Sequence, residues 1–222
     1  MAEMVTLTAS DGNEFAAWRA EPEGRPRGGV VILQEIFGLN QHIREVTEKF
    51  AAAGWLAVAP ALFDRAEKGV ELAYDGDGVA KGRELKTATD EKALLDVSAA
   101  LDSLAGAGRL GVVGYCWGGS LAWRAAAEIK GLAACVSYYG GDLPALKELQ
   151  PHCPVLAHFG AEDSAIPLDG VEAFKAAQPD VPVHIWPAGH GFNCDHRASF
   201  HAQSAAEAGQ MTEDFLSQNM AG

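Results

Sequence analysis

Residues 114–119 read Gly-Tyr-Cys-Trp-Gly-Gly. Glycines stand two residues before and two after Cys116, directly after the apolar stretch 110–113, which suggests a turn too tight for side chains near the sulfur. Strand, Gly-x-Cys-x-Gly, then helix is the context of a nucleophile elbow, which holds its nucleophile in a strained conformation above a sheet. A helix beginning just after the sulfur would aim its free N–H groups and positive dipole end at it, favouring thiolate. Such a nucleophile needs a base within hydrogen-bond reach, and the base needs an orienting acid. Asp163 and His190 follow in the order nucleophile, acid, histidine that this architecture uses. Asp163 sits on the loop just past the predicted strand 155–159, whereas its competitor Asp169 lies further on. His190 competes with His158, His184, His196 and His201, but it alone sits between glycines at a strand exit.

The elements that must position these groups are legible as an alternation. Residues 5–8 and 15–20 around Asp11-Gly12 suggest an opening β-hairpin. Strands are predicted at 29–33, 55–59, 110–113, 133–138, 155–159 and 183–186. Helices are predicted at 41–53, 89–104, from the elbow to about 129, near 168–177 and at 200–218. Residues 61–85, rich in Asp, Gly and Lys, read as a loop or short helices over a site. The pattern is that of an α/β protein with a mostly parallel sheet. With no repeat, low-complexity segment or Pro/Ser-rich linker, one domain over 1–222 is expected.

The chain resembles the dienelactone hydrolase family of the α/β-hydrolase fold along nearly its whole length. The resemblance is carried by Gln34-Glu35-Ile36-Phe37-Gly38, Gly114-Tyr115-Cys116-Trp117-Gly118-Gly119, the Asp163 loop and Gly189-His190-Gly191-Phe192. It implies hydrolysis of esters or lactones by a Cys116–His190–Asp163 triad through a thioester. It also implies that Glu35 lies beside the cysteine and helps to deprotonate it when substrate arrives, and that the backbone N–H groups of Ile36 and Trp117 form an oxyanion hole. A tetrahedral intermediate needs two such donors, and losing one costs on the order of 3 kcal/mol. Phe37, Tyr115 and Arg65 are the candidate substrate contacts, Arg65 by resemblance to one of two family arginines that hold a substrate carboxylate. The other, four residues after the histidine, is replaced by Cys194, with Arg197 nearby in a different register. Neutral esters are therefore expected to be cleaved at least as well as anionic lactones, with slow side activity on activated phosphotriesters.

The net charge of −13 argues against nucleic acid or an anionic membrane as a partner. The amino terminus shows no secretory signal and no apolar run reaches membrane-spanning length, so a cytoplasmic protein with reduced thiols is expected. A small-molecule ester or lactone is the expected partner, with no cofactor or metal, in a monomer or weak homodimer. Two other readings compete. One is a metal-dependent hydrolase using the crowded His184, His190, Cys194, Asp195 and His196, although no recognised zinc spacing appears. The other is a non-catalytic or redox-sensing scaffold, since fold alone does not establish activity.

Overall fold

A computed structural model describes residues 1–220. The chain opens with two antiparallel strands, β1 (Ala2–Thr8) and β2 (Glu14–Ala20), the expected hairpin. Then come β3 (Gly29–Leu33), α1 (Gln41–Ala52), β4 (Leu56–Pro60), a short 3₁₀ turn (Leu62–Arg65), α2 (Gly76–Thr89) and α3 (Ala93–Asp102). The remainder is β5 (Leu110–Tyr115), α4 (Trp117–Glu128), β6 (Ala134–Tyr138), β7 (Val155–Gly160), α5 (Leu168–Ala177), β8 (Val183–Trp186) and α6 (Ala202–Met220).

The strands form one eight-stranded sheet in the order β1-β2-β4-β3-β5-β6-β7-β8. From β4 to β8 every pairing is parallel, and β2 joins β4 antiparallel. The reason lies in composition. β3, β4, β6 and β7 are buried at every position, as strands covered by helices on both faces must be, whereas β1 alternates and forms an edge. This is the α/β-hydrolase fold. Because β3, β5, β7 and β8 run the same way, the loops after them emerge together at the carboxyl ends of the strands, where open α/β sheets place their ligands.

The expected strands and most helices are present to within three residues. The difference is at 61–92. Fourteen residues there form α2, and the helix expected from 89 starts only at Ala93, after a 3₁₀ turn at Asp90–Lys92. Asp75 caps α2 by accepting the Gly78 N–H at 2.8 Å. The helix contains Gly76, Gly78 and Gly82 and little apolar periodicity, so its local signal is weak. Gly82 has a tertiary reason: a Cβ there would lie 2.0 Å from the Ile36 carbonyl oxygen. Glycine lets α2 close onto the turn that follows β3.

Candidate active site

Cys116 stands at the junction of β5 and α4 with φ 54° and ψ −114°, a conformation that costs a non-glycine residue strain energy. The flanking glycines make it sterically possible. A Cβ on Gly114 would lie 1.9 Å from the Gly118 carbonyl oxygen, and one on Gly118 would lie 2.4 Å from that of Leu33. The Gly118 N–H donates to the Gln34 carbonyl at 3.0 Å, which docks the elbow against the turn after β3. Cys116 remains half-buried while Cys135, Cys153 and Cys194 are buried.

His190, from the loop after β8, places Nε2 3.2 Å from Cys116 Sγ and Nδ1 2.6 Å from Asp163 Oδ2. Asp163 comes from the loop after β7, and its Oδ1 accepts the N–H groups of Ala165 and Ile166 at 2.8 and 3.2 Å. That leaves Oδ2 aimed at the imidazole. The two loops are tied together by Ala161 N–H to Trp186 O and Glu162 N–H to Ala188 O. Burial disfavours charge on His190, but the Asp163 hydrogen bond and the Cys116 sulfur outweigh it and raise the pKa from 6.5 to about 10. The competing His158 is held by Thr212 and Trp186, and burial pushes its pKa down to about 3. Tyr139, the other non-glycine residue at positive φ (39°), sets its ring edge against His190 at 5.1 Å.

The turn 34–38 supplies the facing wall. The Gln34 side chain accepts the Leu62 N–H at 3.1 Å and donates to the Glu35 carbonyl at 3.2 Å, fixing the turn. Among the described residues, neither the Ile36 nor the Trp117 backbone N–H has a hydrogen-bond partner, and Trp117 opens α4, where such N–H groups are free. The Trp117 ring is anchored by stacking on Phe63 and by donating from Nε1 to Asp90 at 2.6 Å. Glu35 is fully buried: Oε1 accepts from Arg197 Nη1 at 3.0 Å, and Oε2 has no partner. No hydrogen bond joins Glu35 to Cys116 in this conformation.

A cavity of about 370 Å³, within the range of small-molecule sites, opens over the sulfur. Ile36, Phe37, Cys116, Trp117 and His190 line it as expected, and Arg83 and Arg197 line it as well. Two expected contacts are displaced. Arg65 is not on this cavity: its guanidinium binds Asp96 at 2.7 and 2.9 Å and Asp11 at 2.8 and 3.1 Å, with Asp96 buried and itself held by Asn13. The pair of acids, distant in sequence, takes the cation that the resemblance gave to substrate. Tyr115 is buried, stacks on Tyr138 at 4.8 Å and faces a second cavity of about 420 Å³ between α1 and α6.

The replacement cation is Arg197. Successive tight turns (Cys194 N–H to Gly191 O, Arg197 N–H to Cys194 O, Phe200 N–H to Arg197 O) fold the chain back, so residue 197 returns to the cavity. Its guanidinium lies over the rings of Phe37 and Tyr74. Cys194 is fully buried against the Tyr74 hydroxyl. The only hint in the sequence was an arginine three residues beyond the expected register. Of the crowded stretch of possible metal ligands only Asp195 and His196 come together, because His190 is engaged by Cys116 and Asp163 while His184 stacks on Trp186. Among the described residues, no helix is long and apolar enough to cross a membrane.

The family model described as "Dienelactone hydrolase family" matches residues 15–220. A "Putative carboxymethylenebutenolidase" of Yersinia pestis is 32% identical, with 96% of this chain and 87% of that protein covered. The protein of the same name in Synechocystis sp. is 33% identical, with 91% of each covered. The crystal structure of a "Putative Dienelactone Hydrolase" from Klebsiella pneumoniae superposes with a TM-score of 0.83 at 30% identity, covering 98% of this chain and 99% of that one. The dienelactone hydrolase-like promiscuous phosphotriesterase P91 from metagenomic libraries shares the fold, with a TM-score of 0.82 at 22% identity over 98% of each chain. Matched from the second strand to the last helix, the chain belongs to the dienelactone hydrolase family and is a hydrolase of that type.

Proposed function

We propose that the protein hydrolyses carboxylic esters and lactones through a thioester on Cys116. The observation that carries this reading is the unbroken line from Cys116 Sγ through both His190 nitrogens to Asp163 Oδ2, at 3.2 and 2.6 Å. Sγ attacks the acyl carbon, and the proton it gives up resides on His190, where Asp163 stabilises the imidazolium. The Ile36 and Trp117 N–H groups receive the developing oxyanion. The imidazolium then protonates the departing alkoxide, leaving an acyl thioester. Neutral His190 next takes a proton from water, whose oxygen attacks the thioester to release acid, and the proton returns to the Cys116–His190 pair.

Arg197 and Arg83 on the cavity favour an acyl group that carries a carboxylate, a reversal of the preference for neutral esters expected from Cys194. A substrate anion would compete with Glu35 for Arg197 and free the Glu35 carboxylate.

The test is a stopped-flow measurement with an activated aryl ester. A burst of phenol stoichiometric with protein, absent in Cys116→Ala and at least a thousandfold slower in His190→Ala, is expected. Turnover that survives Cys116→Ala would overturn the reading. A slow side activity on activated phosphotriesters also fits, because a phosphoryl oxygen gains charge at the same donors. It is favoured by the likeness to a protein described as a promiscuous phosphotriesterase. That activity should disappear in Cys116→Ala; if it persists there, this second reading fails.

A further inference from the structure

Outside the Cys116 cavity, the described residues bring together one group of three or more His, Cys or carboxylate donors with ligand atoms within 4.8 Å of one another: His42, Asp195 and His196. Glu45 completes it. His42 and Glu45 lie three residues apart on α1, and Asp195 and His196 are adjacent in the loop that carries His190. His42 Nδ1 is 3.1 Å from Asp195 Oδ1, His196 Nε2 is 2.8 Å from Glu45 Oε2, and His196 Nε2 is 3.9 Å from Asp195 Oδ1.

Four ligands at about 2.1 Å in a tetrahedron stand roughly 3.4 Å apart; the His42–Asp195 and Asp195–His196 separations of 3.1 and 3.9 Å straddle that spacing, and the half-exposed Glu45 side chain would swing from His196 to join them. We propose that His42, Glu45, Asp195 and His196 form a binding site for a divalent transition-metal ion, zinc above all, that ties α1 to the loop bearing His190 and Arg197. Two imidazoles and two carboxylates suit a borderline-soft cation, and two carboxylate charges neutralise it. His42 is buried, its Nδ1 faces Asp195, and its Nε2 has no partner. Coordination through Nδ1 would leave the ring proton on Nε2. Asp195, Glu45 and His196 are partly exposed, which gives the ion an entry path. Lys49, 3.4 Å from Asp195 and mostly exposed, is the resident counter-charge that the ion would displace.

The site takes no part in the Cys116 chemistry, so its test needs no activity. Chelator-treated Cys116→Ala protein, in which the active-site thiol cannot hold the metal, is titrated calorimetrically with zinc chloride alone. One equivalent should bind, and the melting temperature should rise by roughly 5 °C or more at a hundredfold excess over the dissociation constant. Adding His196→Gln should weaken binding at least tenfold and abolish the rise. Glu45→Gln, at an exposed position on α1, should weaken it in the same direction and decides the matter if the His196 variant folds poorly. Absence of zinc binding in the Cys116→Ala protein would overturn the proposal, as would binding that both substitutions leave undiminished.

Discussion

Replacing Asp163 by asparagine isolates what the buried carboxylate does for the imidazole. The change keeps shape and removes charge. In the wild type the His190 pKa rises from 6.5 to about 10, which corresponds to roughly 5 kcal/mol of preference for the imidazolium. Burial opposes that preference, and the 2.6 Å hydrogen bond to Asp163 is the largest favourable contribution. Charge-assisted hydrogen bonds are about twice as strong as neutral ones, so the variant should retain about half the effect and His190 should titrate about 2 pH units lower. The assay is the pH dependence of the His190 Cε1–H resonance, run beside ester turnover. Turnover should fall about 10²- to 10⁴-fold, less than for loss of Cys116 or His190. Because the folded-state pKa lies above 6.5, the stability from this pair is complete below about pH 6.5 and is lost as pH rises through about 10. The deficit of the variant against the wild type should therefore be largest near pH 6 and narrow towards pH 10. An unchanged His190 titration with wild-type turnover would refute the reasoning and move the acid elsewhere.

Arg65→Met leaves the buried Asp96 carboxylate without its main partner and should cost about 3–5 kcal/mol in urea unfolding, with turnover per folded molecule unchanged; a raised KM with unaltered stability would return Arg65 to the substrate. Gly118→Ala puts a methyl 2.4 Å from the Leu33 carbonyl oxygen and 2.7 Å from that of Gln34, both backbone, so the turn carrying the Ile36 N–H must shift. Single-turnover acylation should slow about a hundredfold, the loss typical of one misplaced oxyanion donor, and a wild-type rate would remove the Ile36 N–H from the site. Arg197→Gln should lower the preference for a carboxylate-bearing lactone over a neutral ester of similar size about tenfold, equivalent to one charge-assisted pair of about 1.5 kcal/mol. Equal losses on both substrates would confine Arg197 to holding Glu35.

What the sequence determined by itself was whatever is encoded over a few neighbouring residues. Runs such as Gly29–Leu33 and Leu56–Pro60 are apolar throughout, and only a covered parallel strand buries both faces of such a run. The elbow is local in part: Gly114 is required by the Gly118 carbonyl four residues on, whereas Gly118 is required by Leu33 and Gln34 at the end of β3. Once those strands are parallel, Cys116, Asp163 and His190 leave the sheet at one end, so their meeting was legible from the strand exits together with the glycines around Cys116 and His190.

Tertiary structure decided where the charges go. Arg65 pairs with Asp11 and Asp96, 54 and 31 residues away, and no local pattern distinguishes that pairing from a substrate contact. Arg197 reaches the cavity only because two consecutive tight turns reverse the chain after His190. The helix Gly76–Thr89 was hidden for the same reason: its glycines lower helix propensity locally and are explained only by the Ile36 carbonyl that α2 packs against. Backbone conformation follows from short-range sterics and periodicity, which a sequence displays. The partner of a long charged side chain depends on which distant elements the fold brings within about 3 Å, and that is fixed only when the sheet and its loops have assembled.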